Sequence, residues 1–164
     1  MASFDLISKV DTMELQNALL TTEKVIAGRF DFKNSEATID WKEKEAILEI
    51  RAEDDTKVKA VLEILRGNMV KRGIGLKGME ESPIEATGLK MKKMTLKLKN
   101  GIDKESAGII QRAIKANGSK VKAQYMDEKF RLEAKSIDDL QAAFQMLRAS
   151  KELKIDLSME NMKR

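Results

Sequence analysis

The sequence contains no histidine and no cysteine among its 164 residues. Their absence excludes a Ser-His-Asp triad, a Cys-His nucleophile, a disulfide framework and a zinc site built from thiolates or imidazoles. No stretch approaches the roughly 18 apolar residues of a membrane-spanning helix. The start of the chain has an acid, Asp5, where a secretory signal would continue with apolar residues. We therefore expect a cytoplasmic protein that lacks the common His- or Cys-dependent catalytic chemistry.

Aromatic residues make up only 4% of the chain, whereas charged residues make up 35% and hydrophobic residues 42%. This composition is typical of a globular protein in water, and the length allows one domain or two of about 80 residues each. The net charge of +4 is unevenly distributed, since residues 1–82 carry a net −3 and residues 83–164 a net +7. The basic half is therefore the first place to expect an anion-binding surface.

The same order of predicted secondary structure elements occurs twice along the chain. Period-two apolar patterns predict strands and hairpins, and apolar residues at three- and four-residue steps predict two helices in each half. A shift of 82 residues brings the apolar positions of the two halves into phase. The pattern predicts an α+β fold of two ferredoxin-like βαββαβ units, each a four-stranded antiparallel sheet with two helices on one face.

We predict the boundaries of these units at residues 1–86 and 87–164. The stretch 73–88 holds four glycines and the only proline, and it is the candidate linker. The fourth strand of the first unit has to come from this region or from 89–99. The alternative is an exchange of strands between the halves, with 1–10 completing the second unit and 89–99 bridging both.

Strand alternation predicts which side chains lie on the helix-free face of the second unit. Strands at 91–99, 120–126 and 129–135 would place many cations there, and the candidate binding residues are Lys97, Lys99, Lys122, Gln124, Arg131 and Lys135. Like charges on neighbouring strands repel one another, so such a face favours a phosphate-bearing ligand. The alternative is that these lysines only keep the strands solvated. Tyr125 and Phe130 fall on the inward phase, which argues against base stacking on this sheet.

The segment Arg29-Phe30-Asp31-Phe32 is a second candidate site. In the functional hypothesis, Arg29 and Asp31 face a cleft between the units while Phe30 and Phe32 anchor the backbone. The alternative is that both rings pack in the core of a connecting segment.

Other motifs predict structure rather than chemistry. The stretch 73–78 matches G-x-G-x-x-G by letter but follows a helix, where the phosphate-cradling geometry is missing. Asp54-Asp55 and Asp138-Asp139 fall at the starts of helices, where acids are stabilising. We predict no metal site, no cofactor and no catalytic residue.

Several blocks of the sequence resemble the YajQ family of bacterial proteins. They follow the family's order over nearly the whole chain: Ser3-Phe4-Asp5, residues 29–34, Ile64-Leu65-Arg66, residues 71–74, residues 96–102, residues 120–124 and residues 135–141. The resemblance implies two ferredoxin-like domains and a cytosolic nucleotide-binding protein without established catalysis; nucleotides, RNA or a cyclic dinucleotide are the suggested ligands. By position it assigns Arg29, Asp31, Lys97, Lys99, Gln124 and Lys135 to charged interdomain blocks. The tail 159–164 departs from the family pattern, because it lacks the usual aromatic residues.

We therefore predict a non-enzymatic protein that binds nucleotide or RNA through a basic open sheet face and an interdomain cleft. Lysines and Arg131 would contact phosphate, and Gln124 and Asp31 would hydrogen-bond a base or ribose. The alternative is an adaptor whose basic face binds an acidic regulatory protein. We expect no membrane partner.

Overall fold

The computed structural model describes residues 1–116, 118 and 120–164. The helices are α1 (Thr12–Gly28), α2 (Asp55–Lys71), α3 (Lys104–Ala116) and α4 (Ile137–Arg148). The strands are β1 (Ala2–Ile7), β2 (Thr38–Lys42), β3 (Ile47–Ala52), β4 (Met79–Glu81), β5 (Glu85–Thr87), β6 (Met91–Leu98), β7 (Val121–Met126), β8 (Lys129–Ala134) and β9 (Ser158–Lys163). None of the helices in the described part of the chain is long and apolar enough to span a membrane.

Each helix begins after a side chain that accepts a hydrogen bond from the backbone of the first turn. The accepting residues are Asp11, Asp54, Asp103 and Ser136, and their distances to the backbone nitrogens three residues later are 3.1, 2.8, 3.0 and 3.2 Å. A cap of this kind stabilises a helix by about 1 kcal/mol. The local sequence therefore determines where the helices start, as the capping pattern predicts.

Residues Val10–Leu98 form one compact unit, which we call the continuous unit. Its antiparallel sheet has the order β2-β3-β6-β4, and the short β5 also pairs with β6. Helices α1 and α2 pack on one face of this sheet, and the core between them includes Leu15, Leu48, Leu65 and Leu96. The other face carries no helix of this unit.

Residues Met1–Lys9 and Lys99–Arg164 form the second compact unit, which we call the discontinuous unit. Its antiparallel sheet has the order β7-β8-β1-β9. Helices α3 and α4 pack on one face, over a core that includes Phe4, Leu6, Phe130 and Leu132. The ring of Phe4 meets that of Phe144 edge to face, with 6.0 Å between centroids.

The two units reach the same sheet order by different chain paths. The discontinuous unit follows the order βαββαβ, with β1 in a central position of the sheet. In the continuous unit the corresponding central strand is β6, which comes last in the chain. The predicted α+β fold of two ferredoxin-like units is confirmed, but the continuous unit departs from the predicted βαββαβ order, and its sheet has five strands instead of four.

The division of the chain differs from a boundary between residues 86 and 87. Strand β1 pairs with β8 and β9, so residues 1–9 belong with the C-terminal half of the chain. Strand β6 pairs with β3, β4 and β5 and lies wholly within the continuous unit. Strand pairing joins residues that are far apart in the sequence, and local apolar patterns do not specify which strands pair.

Alternating apolar residues predict a last strand near 154–159, but β9 begins only at Ser158. Leu153, Ile155 and Leu157 are buried in the core of the discontinuous unit but precede β9. All six residues of β9 are exposed. Alternating burial in an irregular segment imitates the period-two pattern of a strand.

Candidate functional site

The helix-free face of the discontinuous unit is lined by alternate residues of its four strands. Neighbouring residues on a strand point to opposite faces, and the apolar set of this sheet packs against α3 and α4. The residues on the helix-free side include Ser3, Asp5 and Ile7 of β1, Lys122, Gln124 and Met126 of β7, Lys129, Arg131 and Glu133 of β8, and Glu160, Asn161 and Lys163 of β9. We call this surface the open face of the discontinuous unit.

A carboxylate is buried at the centre of this open face. Asp5 is 4% exposed, and each of its oxygens accepts a hydrogen bond from a neighbouring strand. Nδ2 of Asn161 donates to Oδ2 at 3.0 Å, and Nε of Arg131 donates to Oδ1 at 3.3 Å. The hydrogen bond from Asn161 lowers the pKa of Asp5 against the opposing effect of burial, and Arg131 lowers that pKa further. Asp5 is therefore a fixed negative charge beneath the guanidinium.

Arg131 is anchored at Nε, yet its side chain is 59% exposed. The hydrogen bond to Asp5 uses Nε, so the two terminal nitrogens can reach a ligand. Arg131 and Asp5 together line two concavities of about 400 and 230 Å³. The larger is also lined by Ser3, Glu133, Asn161, Met162 and Lys163, and the smaller by Gln124, Met126, Asp127 and Lys129. This arrangement can bind an anion at the guanidinium and hydrogen-bond polar groups on either side.

Three of the predicted binding residues meet on this face: Lys122, Gln124 and Arg131. Gln124 lies directly opposite Arg131 on the neighbouring strand, and Lys122 lies opposite Glu133. Lys135 is exposed and follows the last residue of β8. These residues thus come from both strands of one hairpin.

Lys97 does not lie on this face. It belongs to β6 in the sheet of the continuous unit, opposite Ile47 of β3 and Glu80 of β4. Lys99 lies in the discontinuous unit, where Ser106 first and Lys99 more weakly lower the pKa of Asp103. The predicted cationic surface of three strands is therefore wrong for the strand 91–99, because that strand pairs with β3 and not with β8.

The helix-free face of the continuous unit, which we call its open face, has a different electrostatic arrangement. Glu49 of β3 is 7% exposed and pairs with both Nζ of Lys42, at 3.1 Å, and the guanidinium of Arg51. Burial opposes ionisation of Glu49, but Arg51 and Lys42 lower its pKa. A concavity of about 450 Å³ beside them includes Asp40, which lies directly opposite Glu49. Lys42 and Arg51 thus share one buried carboxylate, and Asp40 adds a second carboxylate to this face.

Residues Phe30–Phe32 form a 3-10 turn shortly after α1, and Arg29 is the extended residue that precedes it. Arg29 donates two hydrogen bonds to Asp31, from Nε at 2.9 Å and from a terminal nitrogen at 2.7 Å, and this contact lowers the pKa of Asp31. Phe32 is buried, with the Arg29 guanidinium 5.6 Å from its ring centroid, whereas Phe30 is 88% exposed. Phe32 therefore packs in the core, as the alternative predicts, whereas Phe30 does not. The expectation that Arg29 and Asp31 face a cleft stays a prediction.

The net charge is also divided between the two units. Residues 10–98 carry sixteen basic and sixteen acidic side chains, whereas residues 1–9 and 99–164 carry fifteen basic and eleven acidic ones. The whole net charge of +4 therefore belongs to the discontinuous unit. The two units therefore differ in total charge as well as in the partners of the arginines on their open faces.

Sequence patterns do not single out Asp5 or Asn161. Alternation places Asp5 on the outward phase of β1, but its burial depends on contacts with Arg131 and Asn161, which are 126 and 156 positions away. The available signals for Asp5 are its place between the core residues Phe4 and Leu6 and its place in the block Ser3-Phe4-Asp5. Among the described residues, no group of three or more acids is arranged to hold a metal ion.

The fold and this surface define a class of protein: two ferredoxin-like units, one neutral and one positively charged with an exposed arginine on its open sheet. A family described as "Nucleotide-binding protein YajQ-like" matches residues 2–163. The chain belongs to this family. The resemblance seen in the sequence blocks is thereby confirmed.

Relatives from several bacteria align with this chain over almost their full lengths. A "Nucleotide-binding protein" of Cytophaga hutchinsonii is 41% identical over 99% of this chain and 100% of its own length. Similar proteins of the same name from Geotalea daltonii and Clavibacter michiganensis are each 38% identical over 98% of this chain, and 98% and 97% of their lengths are covered. The similarity therefore includes both units.

Proposed function

We propose that this chain binds nucleotides, without chemical turnover, on the open face of the discontinuous unit. The observation that carries the proposal is the exposed guanidinium of Arg131, held by the buried carboxylate of Asp5. The net positive charge of this unit and the names of the relatives support it.

The phosphate of the ligand binds at the terminal nitrogens of Arg131, whose fork geometry matches two phosphate oxygens. Lys122 and Lys129 lie on the same face and add positive charge around it. Asp5 already restrains the guanidinium, so less side-chain freedom is lost when the ligand binds. An anchored arginine and two lysines on the same face together favour a phosphate-bearing ligand.

The base or ribose is recognised by hydrogen bonds rather than by stacking on an aromatic ring of β7 or β8. Gln124 lies directly opposite Arg131, and its amide both donates and accepts hydrogen bonds. Tyr125 and Phe130 pack together on the core side, with 5.1 Å between ring centroids. Met126 is exposed beside Gln124 in the smaller concavity and offers an apolar contact instead.

We infer binding rather than catalysis because the chain lacks histidine and cysteine and therefore the catalytic chemistry that depends on these two residues. A cytoplasmic location belongs to the same proposal, since that compartment supplies free nucleotides and RNA. RNA and a cyclic dinucleotide are two more specific candidates for the ligand. They differ in the number of phosphates that would contact the open face. A longer RNA releases more counterions on binding, so its affinity falls more steeply with salt.

Thermal unfolding with added ligand tests the proposal. The probes are ATP, GTP, a cyclic dinucleotide and a short single-stranded RNA, each at low and high salt, because a ligand of the folded state raises the unfolding temperature. We expect at least one probe to stabilise the protein and Arg131→Ala to remove that stabilisation. Arg51→Ala is the matched control on the other open face. If no probe stabilises the protein, or if Arg51→Ala abolishes the effect as fully as Arg131→Ala, the proposal is wrong.

A further inference from the structure

Asp5 connects three strands of the discontinuous unit through its side chain. It lies on β1, accepts a hydrogen bond from Arg131 on β8 and accepts another from Asn161 on β9. The two donors use different carboxylate oxygens, so both contacts form at once. The orientation of the carboxylate therefore depends on β9 as well as on β8.

Asn161 lies where the pairing of β9 with β1 is irregular. The register changes between Ser3 and Asp5, and Asn161 has a φ of 55°, in the left-handed region that asparagine adopts more readily than most residues. A bulge of this kind redirects a side chain that regular pairing would aim elsewhere. The irregularity brings the Asn161 amide within 3.0 Å of Asp5.

Strand β9 pairs with β1 through its backbone but adds no buried side chain to the core. All six of its residues are exposed, including Met159, which lies opposite the buried Leu6. Exposed backbone hydrogen bonds with few buried apolar contacts are characteristic of segments that open locally at low free-energy cost. The Asn161 side chain is therefore a substantial part of the link between β9 and the centre of the open face.

We propose that Asn161 is a positioning residue for the ligand site, fixing Asp5 so that Asp5 holds the Arg131 guanidinium ready for phosphate. The ligand in this inference rests on the proposed function, whereas the Asn161–Asp5–Arg131 contacts do not. The docking of β9 and the binding of ligand are then coupled, and the coupling is reciprocal. A ligand that binds the anchored guanidinium also slows the opening of β9.

The first test uses the protein without ligand. The Nε–Hε NMR signal of Arg131 reports its contact with Asp5, and we expect Asn161→Ala to shift or broaden it. Met159→Ala is the matched control, since it lies on the same strand but on the side of the core residue Leu6. An unchanged Arg131 signal in Asn161→Ala overturns the inference, as does an equal change in Met159→Ala, which would indicate a general loss of β9.

The second test adds inorganic pyrophosphate and ATP as probes. We expect Asn161→Ala to weaken binding by about three- to tenfold, the size of one ordinary hydrogen bond, because Asn161 acts on the ligand only through Asp5 and Arg131. The ligand should also slow hydrogen exchange in β9 of the wild type but not in Arg131→Ala. If the wild type binds and Asn161→Ala binds equally well, the coupling is wrong while the proposed function stands. If the wild type binds neither probe, that result counts against the proposed function, and the ligand-free Arg131 signal alone decides whether Asn161 positions Arg131.

Discussion

The two units have the same sheet order, but at one equivalent central position their open faces carry opposite charges, Arg131 on β8 and Glu49 on β3. In the discontinuous unit the central pair is Arg131 opposite Asp5, and in the continuous unit the equivalent pair is Glu49 opposite Thr95. One carboxylate anchors a single exposed guanidinium in the first, whereas one carboxylate engages two cations in the second. The shared fold determines the positions of these side chains, and the charges at those positions determine which face favours an anion.

The largest expected effect is a loss of stability on truncating a buried leucine of a central strand. We expect each truncation to destabilise only the unit that contains it. Leu6 and Leu96 occupy equivalent buried positions on β1 and β6. Truncation of either to alanine is expected to cost about 2–5 kcal/mol through lost burial and a residual cavity. Hydrogen exchange should show that Leu6→Ala deprotects residues 1–9 and 99–164, whereas Leu96→Ala deprotects 10–98. Equal deprotection of both units by one substitution would show that they unfold together and would break the comparison.

The two buried carboxylates should both matter for stability, at an intermediate magnitude. Asp5→Asn leaves Arg131 without its carboxylate, and Glu49→Gln leaves Lys42 and Arg51 without theirs, each at an expected cost of about 1–3 kcal/mol. The folded-state pKa values of both acids are lowered from 3.8 and 4.5, so their contribution is fully present above those values and is lost as the pH falls through the folded-state pKa.

Urea unfolding between pH 7 and acidic pH checks this expectation. The wild type should lose stability steadily below about pH 4.5, and each variant should lose less over the same interval. If a variant loses as much stability in acid as the wild type does, the replaced carboxylate has the same pKa in the folded and unfolded protein.

A smaller effect is expected from a single lysine on the open face of the discontinuous unit. Lys122→Ala should weaken ATP binding by a few fold. It should also reduce the slope of the logarithm of the binding constant against the logarithm of salt concentration by about 1, as expected for losing one phosphate contact. Lys97→Ala, on the other sheet, is the control and should change neither quantity. Calorimetric titration at several salt concentrations measures both. A larger loss with Lys97→Ala than with Lys122→Ala would reverse the assignment of the two faces.

The smallest effect is expected at Phe30, the exposed ring after α1. Because Phe30 is 88% exposed, Phe30→Ala should change the free energy of unfolding by no more than about 0.5 kcal/mol. It should also leave ATP binding unchanged if the ligand occupies the discontinuous unit. A clear loss of affinity with unchanged stability would instead show that the segment 29–32 takes part in binding.

Much of the fold is local and could be predicted from the sequence. Capping residues and apolar periodicity determine the helices, and period-two alternation determines strands such as β6, predicted at 91–99 and found at Met91–Leu98. The pairing of β1 with β8 joins Asp5 to Arg131 across most of the chain, so alternation alone does not reveal it. The placement of Lys97 was wrong for the same reason.

The β2-β3 and β7-β8 hairpins differ in turn length, and a comparison at one constant shift does not detect this difference. Strands β3 and β8 correspond at a shift of 82 residues, but their partners β2 and β7 correspond at a shift of 84, so Trp41 is equivalent to Tyr125. The turn in the continuous unit is two residues longer, which accounts for the change. A constant shift therefore identifies the repeated fold but not the register of every strand.

The candidate site was predictable only in part. Alternation correctly places Lys122, Gln124 and Arg131 on one face, because the phase of a strand is a local property. The anchoring of Arg131 by Asp5 and Asn161 depends on burial and on a bulge in a strand whose residues are all exposed. Neither feature leaves a local apolar pattern in the sequence.

The most direct test of the central claim is an NMR titration of the full chain with ATP, following every assigned backbone amide and the Arg131 side-chain signal. We predict that the largest shifts lie at residues 3–7, 122–133 and 158–163, around Arg131, and that residues 38–51 and 91–97 change little. Shifts concentrated on the open face of the continuous unit, around Glu49 and Arg51, would contradict the claim.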